Sequence, residues 1–395
     1  MPENNKPADA IQIEKMCELA TNGMEDGALG ISTGLAYPPG NYASQDELVA
    51  LLKIARKYGG IHATHMRNEG KEIVRALNEV IEISQYASIP LLVSHFKITG
   101  LKNCDKYDKL LEMIKNAKSE GMQIYVDQYP YDASSTDLNI FLPDWYLAMN
   151  TKTKMRNLRS PIQRAKLKRD TREIITSEGF KNLKFAIISF YIPHSEWQGK
   201  NIDQIAQPNR RSSLSTMDNS IDIILEMESY GGAEIIFHST CQDVMDRIPV
   251  DFENLVSTDS AIHYGEGKNK PLPHPRGWGA FPRFIKYFVN EKKLVSLNDA
   301  IFRMTNLPAE VFGLNNRGVI KKGYFADIVL FDPQKIRDEA TYENPFLPPS
   351  GIIYVLVNGK VVVDNGNNIG YTTEYIAPGV LSVFPGKYIR REKDS

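Results

Sequence analysis

"IHATHMRNEG", residues 61–70, and "IPLLVSHFKITG", residues 89–100, each run a short apolar stretch into a histidine, His65 and His95. Between them "KEIVRALNEVIEISQYA" carries apolar residues at helical spacing. Apolar strand, amphipathic helix, apolar strand is a βα unit whose parallel strands are covered on both faces. Working outward, "ALGIST" reads as a strand before the helix "YASQDELVALLKIARKYGG". That helix has Ser44 and Glu47 at capping-box spacing and ends on Gly59-Gly60. Downstream follow the helix "YDKLLEMIKNAKSEG" and the strand "MQIYVDQYPY". Consecutive βα units imply a parallel sheet, as a (β/α)₈ barrel or an open doubly wound sheet, and periodicity leaves both open.

After Tyr131 the rhythm breaks into a Lys/Arg-rich stretch, "NTKTKMRNLRSPIQRAKLKRDTREIITSEG". We read a helical insertion near residues 132–180, a solvated excursion that lids a site. It lacks the interleaved aromatics of a nucleic-acid surface. The strands "LKFAIIS" and "AEIIFHS" precede "ENLVSTDS", again an apolar run ending near an acid. Beyond Pro308 the chain turns β-rich, and in "GIIYVLVNGKVVVDNG" Asn358-Gly359 is a strong hairpin signal. The expected division is an α/β part over 1–315 and a β-rich part over 316–395.

The composition, 42% hydrophobic with a formal net charge of −1, fits a large buried core and argues against nucleic-acid or membrane partners. The opening "MPENNKPADA" lacks a secretory pattern, so the expected location is cytoplasmic. Cys17, Cys104 and Cys241 are distant and odd in number, which predicts neither a disulfide framework nor a CxxC metal site.

In a βα array the carboxyl ends of the strands face the ligand, so His65, His95, Asp127 and Asp259 are candidates to converge. Imidazole nitrogen and carboxylate oxygen suit zinc, and a catalytic site keeps one position open for water. Zinc-bound water ionises near neutral pH while the ion polarises a carbonyl, so hydrolysis of an amide or ester follows.

The blocks "GALGISTGLAYPPGNYASQDEL", "GGIHATHMRNEG", "VSHFKITG", "VDQYPYDASST", "STDS" with "HPRGWGAFPRF", and the tail from "RMTNLPAEVFGL" to "PGKYIRR" together resemble the N-acyl-D-amino-acid deacylases (D-aminoacylases) of the amidohydrolase superfamily. The resemblance implies a (β/α)₈ TIM barrel of the metal-dependent hydrolase type beside a small β-sandwich. It implies one or two zinc ions in the complete fold and release of a D-amino acid and a carboxylate by attack of a zinc-bound hydroxide. By match to the family's motifs, His65 and His95 would ligate metal. Asp259 would be both ligand and catalytic proton carrier. Tyr37, Lys97, Ser134 and Arg276 would hold the substrate carboxylate. Arg67 and Glu69 would orient the first histidine's ring, as ligating imidazoles need. Asp127 and Tyr131 read as shaping a strand end, and His62 as packed between strand and helix. No role attaches to His194, His238, His263 or His274.

The chain also departs from that pattern. The family's first barrel strand ends in an HxH pair, which is absent here, and Cys17, lying in a helix, does not take the place of the family cysteine. The opening helix matches the family about three βα units into its barrel, so the barrel is expected to be incomplete at the N-terminus. Unpaired sheet edges would then favour a separately encoded N-terminal half or self-association, and a targeting signal could lie on the missing part. Two alternatives stand beside the deacylase: a cyclic-amide hydrolase of the hydantoinase or dihydroorotase kind, and a non-catalytic relative that binds acyl amino acids or a partner chain. The basic insertion makes an acidic substrate, N-acyl-D-glutamate or N-acyl-D-aspartate, a minor option.

Overall fold

The computed structural model describes residues 6–207, 216–261 and 271–369 together with 386 and 389, so His263 and most of the tail block "PGKYIRR" lie outside the described residues. Helix α1 (Ala10–Glu25) starts on a capping box, Asp9 and Gln12 each accepting from the other's backbone N–H at 2.9 Å. Strands β1 (Gly30–Gly34), β2 (Ile61–His65), β3 (Leu91–Val93) and β4 (Ile124–Gln128) then alternate with α2 (Gln45–Lys57), α3 (Ile73–Ala87) and α4 (Tyr107–Ser119). Ser44 caps α2 by accepting from Glu47 N at 3.2 Å, but the return bond of the expected box is not made. The Glu47 carboxylate accepts from Ala8 N instead. The four strands are parallel neighbours in chain order. Leu52, Leu77, Val80, Leu110 and Ile114 pack from the helices onto Leu91, Val93, Ile124 and Val126 in one buried core.

The excursion after β4 is larger than its basic stretch suggested. Strand β5 (Ser134–Asp137) leads into α5 (Asp144–Leu147), α6 (Thr151–Arg159) and α7 (Pro161–Ser177). Then come β6 (Ala186–Phe190), α8 (Ile202–Ala206), α9 (Thr216–Ser229) and β7 (Glu234–Phe237). The strands form a separate antiparallel sheet in the order β5-β7-β6, over a second core that includes Leu138, Phe141, Tyr146, Leu167, Ile188 and Ile235. β6 and β7 therefore add nothing to the parallel sheet; their apolar residues cover the insertion's own helices. The basic side chains turn to acids on α9: Arg164 and Lys168 to Asp222 at 2.9 and 2.7 Å, Arg172 to Asp218, and Lys154 to Glu228 at 3.6 Å.

Helix α10 (Gln242–Asp251) returns the chain to β8 (Leu255–Val256), which pairs parallel to β4. The order β1-β2-β3-β4-β8 is an open five-stranded array, and among the described residues no pairing joins β8 to β1. An incomplete barrel was the expectation, and closure of eight strands is not present among the described residues. Helices α11 (Arg276–Phe284), α12 (Leu297–Met304) and α13 (Asn306–Val311) precede a four-stranded antiparallel sheet. It comprises β9 (Ile328–Phe331), β10 (Ile352–Val357), β11 (Lys360–Asp364) and β12 (Asn367–Asn368). Asn358 and Gly359, at φ of 50° and 80°, make the expected hairpin turn between β10 and β11. Every residue of β10 is only half-buried, and among the described residues this part contains one sheet, not the two of a sandwich.

His62 sits between strand and helix as its position on β2 predicts. Its Nδ1 lies 2.9 Å from Ser84 Oγ on α3 and its Nε2 3.0 Å from Thr33 Oγ1 on β1. The cysteines overturn the expectation. Cys104, before α4, is disulfide-bonded to Cys241, which caps α10, leaving Cys17 as the free thiol. Their separation of 137 residues gave no sign of this. Adjacency comes from a tertiary contact, the bridge between Thr99 and Thr240.

Two measurements follow from this packing. Alkylation of the unreduced chain should label Cys17 alone and, after reduction, all three cysteines, with a Tm lower by several degrees once the crosslink is cut. Burial pushes the His62 imidazole down from 6.5 to about 4. The unfolded chain therefore binds the extra proton first, and stability is retained above pH 6.5 and lost as pH falls from 6.5 toward 4, by up to ~1.4 kcal/mol per pH unit for this one group. Urea unfolding across that window should show a shallower pH slope for His62→Gln than for the unaltered chain.

Candidate metal centre

The register of the parallel sheet aligns Thr64 on β2 with Val93 on β3, so His65 and His95, just beyond those positions, emerge on the same carboxyl edge. Their rings meet edge to face, with His65 Nδ1 2.9 Å from His95 Nε2. His95 holds a left-handed backbone, φ 40°, which costs a non-glycine residue roughly 1–2 kcal/mol. Two bonds over-determine it. The His95 N–H donates to Asp127 Oδ1 at 3.0 Å, and the Ser257 hydroxyl, just past β8, donates to that same oxygen. Asp127 thus does shape the strand end, through β4's neighbour.

On the other side of His95, Glu69 Oε1 stands 2.9 Å from its Nδ1 and 2.7 Å from Lys97 Nζ. Lys97 Nζ also donates to the His95 carbonyl at 3.2 Å. Lys97 Nζ also lies 3.0 Å from His95 Nδ1, but its donors have acceptors in Glu69 and the His95 carbonyl, so the carboxylate favours the tautomer with the proton on Nδ1 and leaves the Nε2 lone pair directed at His65. Burial would raise the Glu69 carboxyl, but Lys97 and the two imidazoles outweigh it and hold that group well below the usual range. Burial would likewise lower the Lys97 ammonium, and Glu69 with Tyr129 and Asp259 raises it instead. Burial pushes His65 down to about 4, so it presents a neutral imidazole at pH 7.

Among the described residues, His65, Glu69 and His95 form a group whose ligand atoms all lie within 4.8 Å of one another. The donor set fits a divalent ion of zinc's kind. Two ring nitrogens facing each other at 2.9 Å need only open to about 3.3 Å to sit at ~2.0–2.1 Å from a tetrahedral centre. Glu69 was expected to orient the first histidine, but it holds the second. Arg67 touches neither ring; its guanidinium clasps Glu79 at 2.8 Å and reaches the Asn41 carbonyl.

Asp259 stands outside that group. Its Oδ2 lies 2.8 Å from Arg276 Nη1, the first residue of α11, and its backbone is also left-handed, φ 46°. Arg276 is 5% exposed and its guanidinium stacks 4.5 Å from the Tyr129 ring, which Lys97 approaches at 5.9 Å. Sequence alone did not single out Tyr129, although it lies just beyond β4 and two residues after Asp127. Tyr37 packs against the His65 ring at 5.0 Å and bonds Thr136 Oγ1 on β5 at 2.8 Å. Ser134 opens β5 opposite Phe237 and makes no hydrogen bond to the group among the described residues. His274, given no role, is buried; it donates from Nε2 to the Ala133 carbonyl and accepts the Arg276 N–H at Nδ1, both at 3.0 Å, and so fixes where α11 begins. Beside Asp259 and Arg276 opens a solvent-accessible cleft that Ser135 and Glu234 also line.

Residues 269–363 match the profile described as Amidohydrolase family. The D-aminoacylase of Alcaligenes xylosoxydans xylosoxydans is 32% identical over 362 residues, which are 92% of this chain and 64% of that protein. The chain therefore spans just under two thirds of the length of that relative. A solved D-aminoacylase, described as defining a novel subset of amidohydrolases, superposes with a TM-score of 0.74 at 30% identity, over 94% of this chain and 67% of its own. The N-acyl-D-glutamate deacylase of Bordetella bronchiseptica, complexed with zinc and a phosphonate inhibitor, gives 0.72 at 30% identity, over 92% and 65%.

The Asp127 anchor is open to direct measurement. Asp127→Ala leaves the buried His95 N–H and Ser257 hydroxyl without their acceptor and should cost about 1–3 kcal/mol in urea unfolding, whereas Asp127→Asn, which keeps an acceptor oxygen, should cost markedly less.

Proposed function

We propose, for a chain that belongs to the N-acyl-D-amino-acid deacylases of the amidohydrolase family, that it hydrolyses the linear amide of N-acyl-D-amino acids with zinc held by His65 and His95. The observation that carries this is the pair of imidazole nitrogens 2.9 Å apart at adjacent strand ends, one with its tautomer set by a buried carboxylate. When bound there, zinc supplies Lewis acidity that makes water a nucleophile at neutral pH and polarises the amide carbonyl.

The other roles belong to this chain's own groups. Arg276 and Lys97, both buried cations near the Tyr129 ring, are suited to the substrate's carboxylate, the guanidinium by forking onto it. Arg276 turning to that carboxylate frees Asp259, which takes a proton at Oδ2 from the attacking water and gives it to the leaving nitrogen, and which would also serve as a further ligand to the ion. Tyr37, against the His65 ring, and Ser134, at the start of β5, complete the carboxylate side. Glu69 keeps His95 in its ligating tautomer. Donors for a second ion are not gathered among the described residues.

The cyclic-amide alternative draws on a carbamylated lysine, which must first be a neutral amine. Lys97 is locked as an ammonium against Glu69, and this favours the carboxylate-binding role. The binding-only alternative has one feature in its favour: β1 and β8 leave unpaired edges among the described residues, which suits a partner chain or a second copy. No helix among the described residues is long and apolar enough to cross a membrane. The cytoplasmic expectation stands against the Cys104–Cys241 crosslink, which persists more readily in oxidising compartments.

The test is calorimetric zinc titration of the full chain with assay of D-methionine release from N-acetyl-D-methionine. We expect His95→Ala to weaken zinc binding at least 100-fold and to remove the release, and the L-enantiomer to be left intact. Zinc binding indifferent to both His65→Ala and His95→Ala, with no amine released, rules the reading out.

A further inference from the structure

The cleft beside Arg276 has an electrostatic feature that the deacylase reading leaves unused. Glu234, the first residue of β7, lines it together with Ser135, Asp259 and Arg276. Asp259 is balanced by Arg276 at 2.8 Å, whereas Glu234 has no hydrogen bond or ion pair among the described residues. Directly across the β5–β7 ladder its partner is Asp137, exposed and equally without a cation among the described residues. Like charges placed opposite each other in an antiparallel pair repel, so the ladder gains nothing from the two acids. Among the described residues, four cations of the same insertion turn away from them: Lys154, Arg164, Lys168 and Arg172 pair with Glu228, Asp222 and Asp218 on α9. These four side chains therefore do not neutralise the acids of the cleft.

We propose that Glu234, with Asp137 beside it, is a specificity determinant that selects N-acyl-D-amino acids with a cationic side chain, of the N-acyl-D-arginine or N-acyl-D-lysine class. This rests on the deacylase reading, with Arg276 as the anchor of the substrate's α-carboxylate. Arg276 and Glu234 line the same cleft, with Ser135 also on its wall, so a guanidinium or ammonium on the D side chain of a substrate anchored at Arg276 has an acid to meet there. A carboxylate side chain would meet repulsion instead, which sets aside the acidic-substrate option.

The experiment measures calorimetric affinities of the zinc-loaded full chain for N-acetyl-D-arginine, N-acetyl-D-leucine and N-acetyl-D-glutamate. The unaltered chain should bind the arginine compound at least about fivefold more tightly than the leucine compound, and the glutamate compound most weakly. Glu234→Gln should bring the arginine-to-leucine ratio close to one, and Glu234→Lys should lift the glutamate compound above the arginine compound. An unchanged Tm for both variants would establish that the ratios report the cleft and not unfolding. A ratio near one in the unaltered chain, or a ratio that survives both substitutions, overturns the assignment while leaving the deacylase reading intact. Failure to bind any of the three compounds removes that reading, and this assignment with it.

Discussion

One carboxylate oxygen organises the strand-end edge. Glu69 Oε1 accepts from Lys97 and faces His95 Nδ1 at the same time, in a nearly dry environment. An isolated charge there would be costly, and so would an isolated ammonium. Together they persist, and they set both the proton on His95 and the position of Lys97. The imidazole of His95 is thereby turned so that its other nitrogen meets His65, and everything proposed about metal and substrate depends on that direction.

The backbone supports the same arrangement. His95 and Asp259 are both non-glycine residues in left-handed conformations at strand ends. Such residues survive only where surrounding bonds over-determine them, and such places concentrate at functional sites. For His95 the bonds are those to Asp127, itself tied to Ser257 at the end of β8. Three parallel strands, β3, β4 and β8, thus meet in one small polar network. It is the adjacency of these strands, not their order along the chain, that makes the site.

The insertion plays a different part. Its own core and its ion pairs with α9 make it a self-sufficient body packed over the strand ends, with β5 supplying Thr136 to Tyr37 and β7 supplying Glu234 to the cleft. The crosslink from Cys104 to Cys241 ties the loop after His95 and Lys97 to the segment returning from β7. Movements of the insertion and of the lysine loop are therefore coupled by a covalent bond.

The alternation of apolar strands and amphipathic helices determined the parallel array, and strand-end position picked out His65, His95 and Asp127, because period and punctuation are local properties that the chain carries residue by residue. The Asn358-Gly359 turn and the Ser44 cap were legible for the same reason. What only the tertiary structure decided were matters of distance between separate elements. Glu69 serves His95 and not His65; Arg67 belongs to Glu79; Arg276 holds Asp259; Cys104 finds Cys241; and the strands Ala186–Phe190 and Glu234–Phe237 leave the parallel sheet to build their own. Each of these is set by which surfaces pack together, and an apolar strand reads the same in sequence whichever sheet buries it.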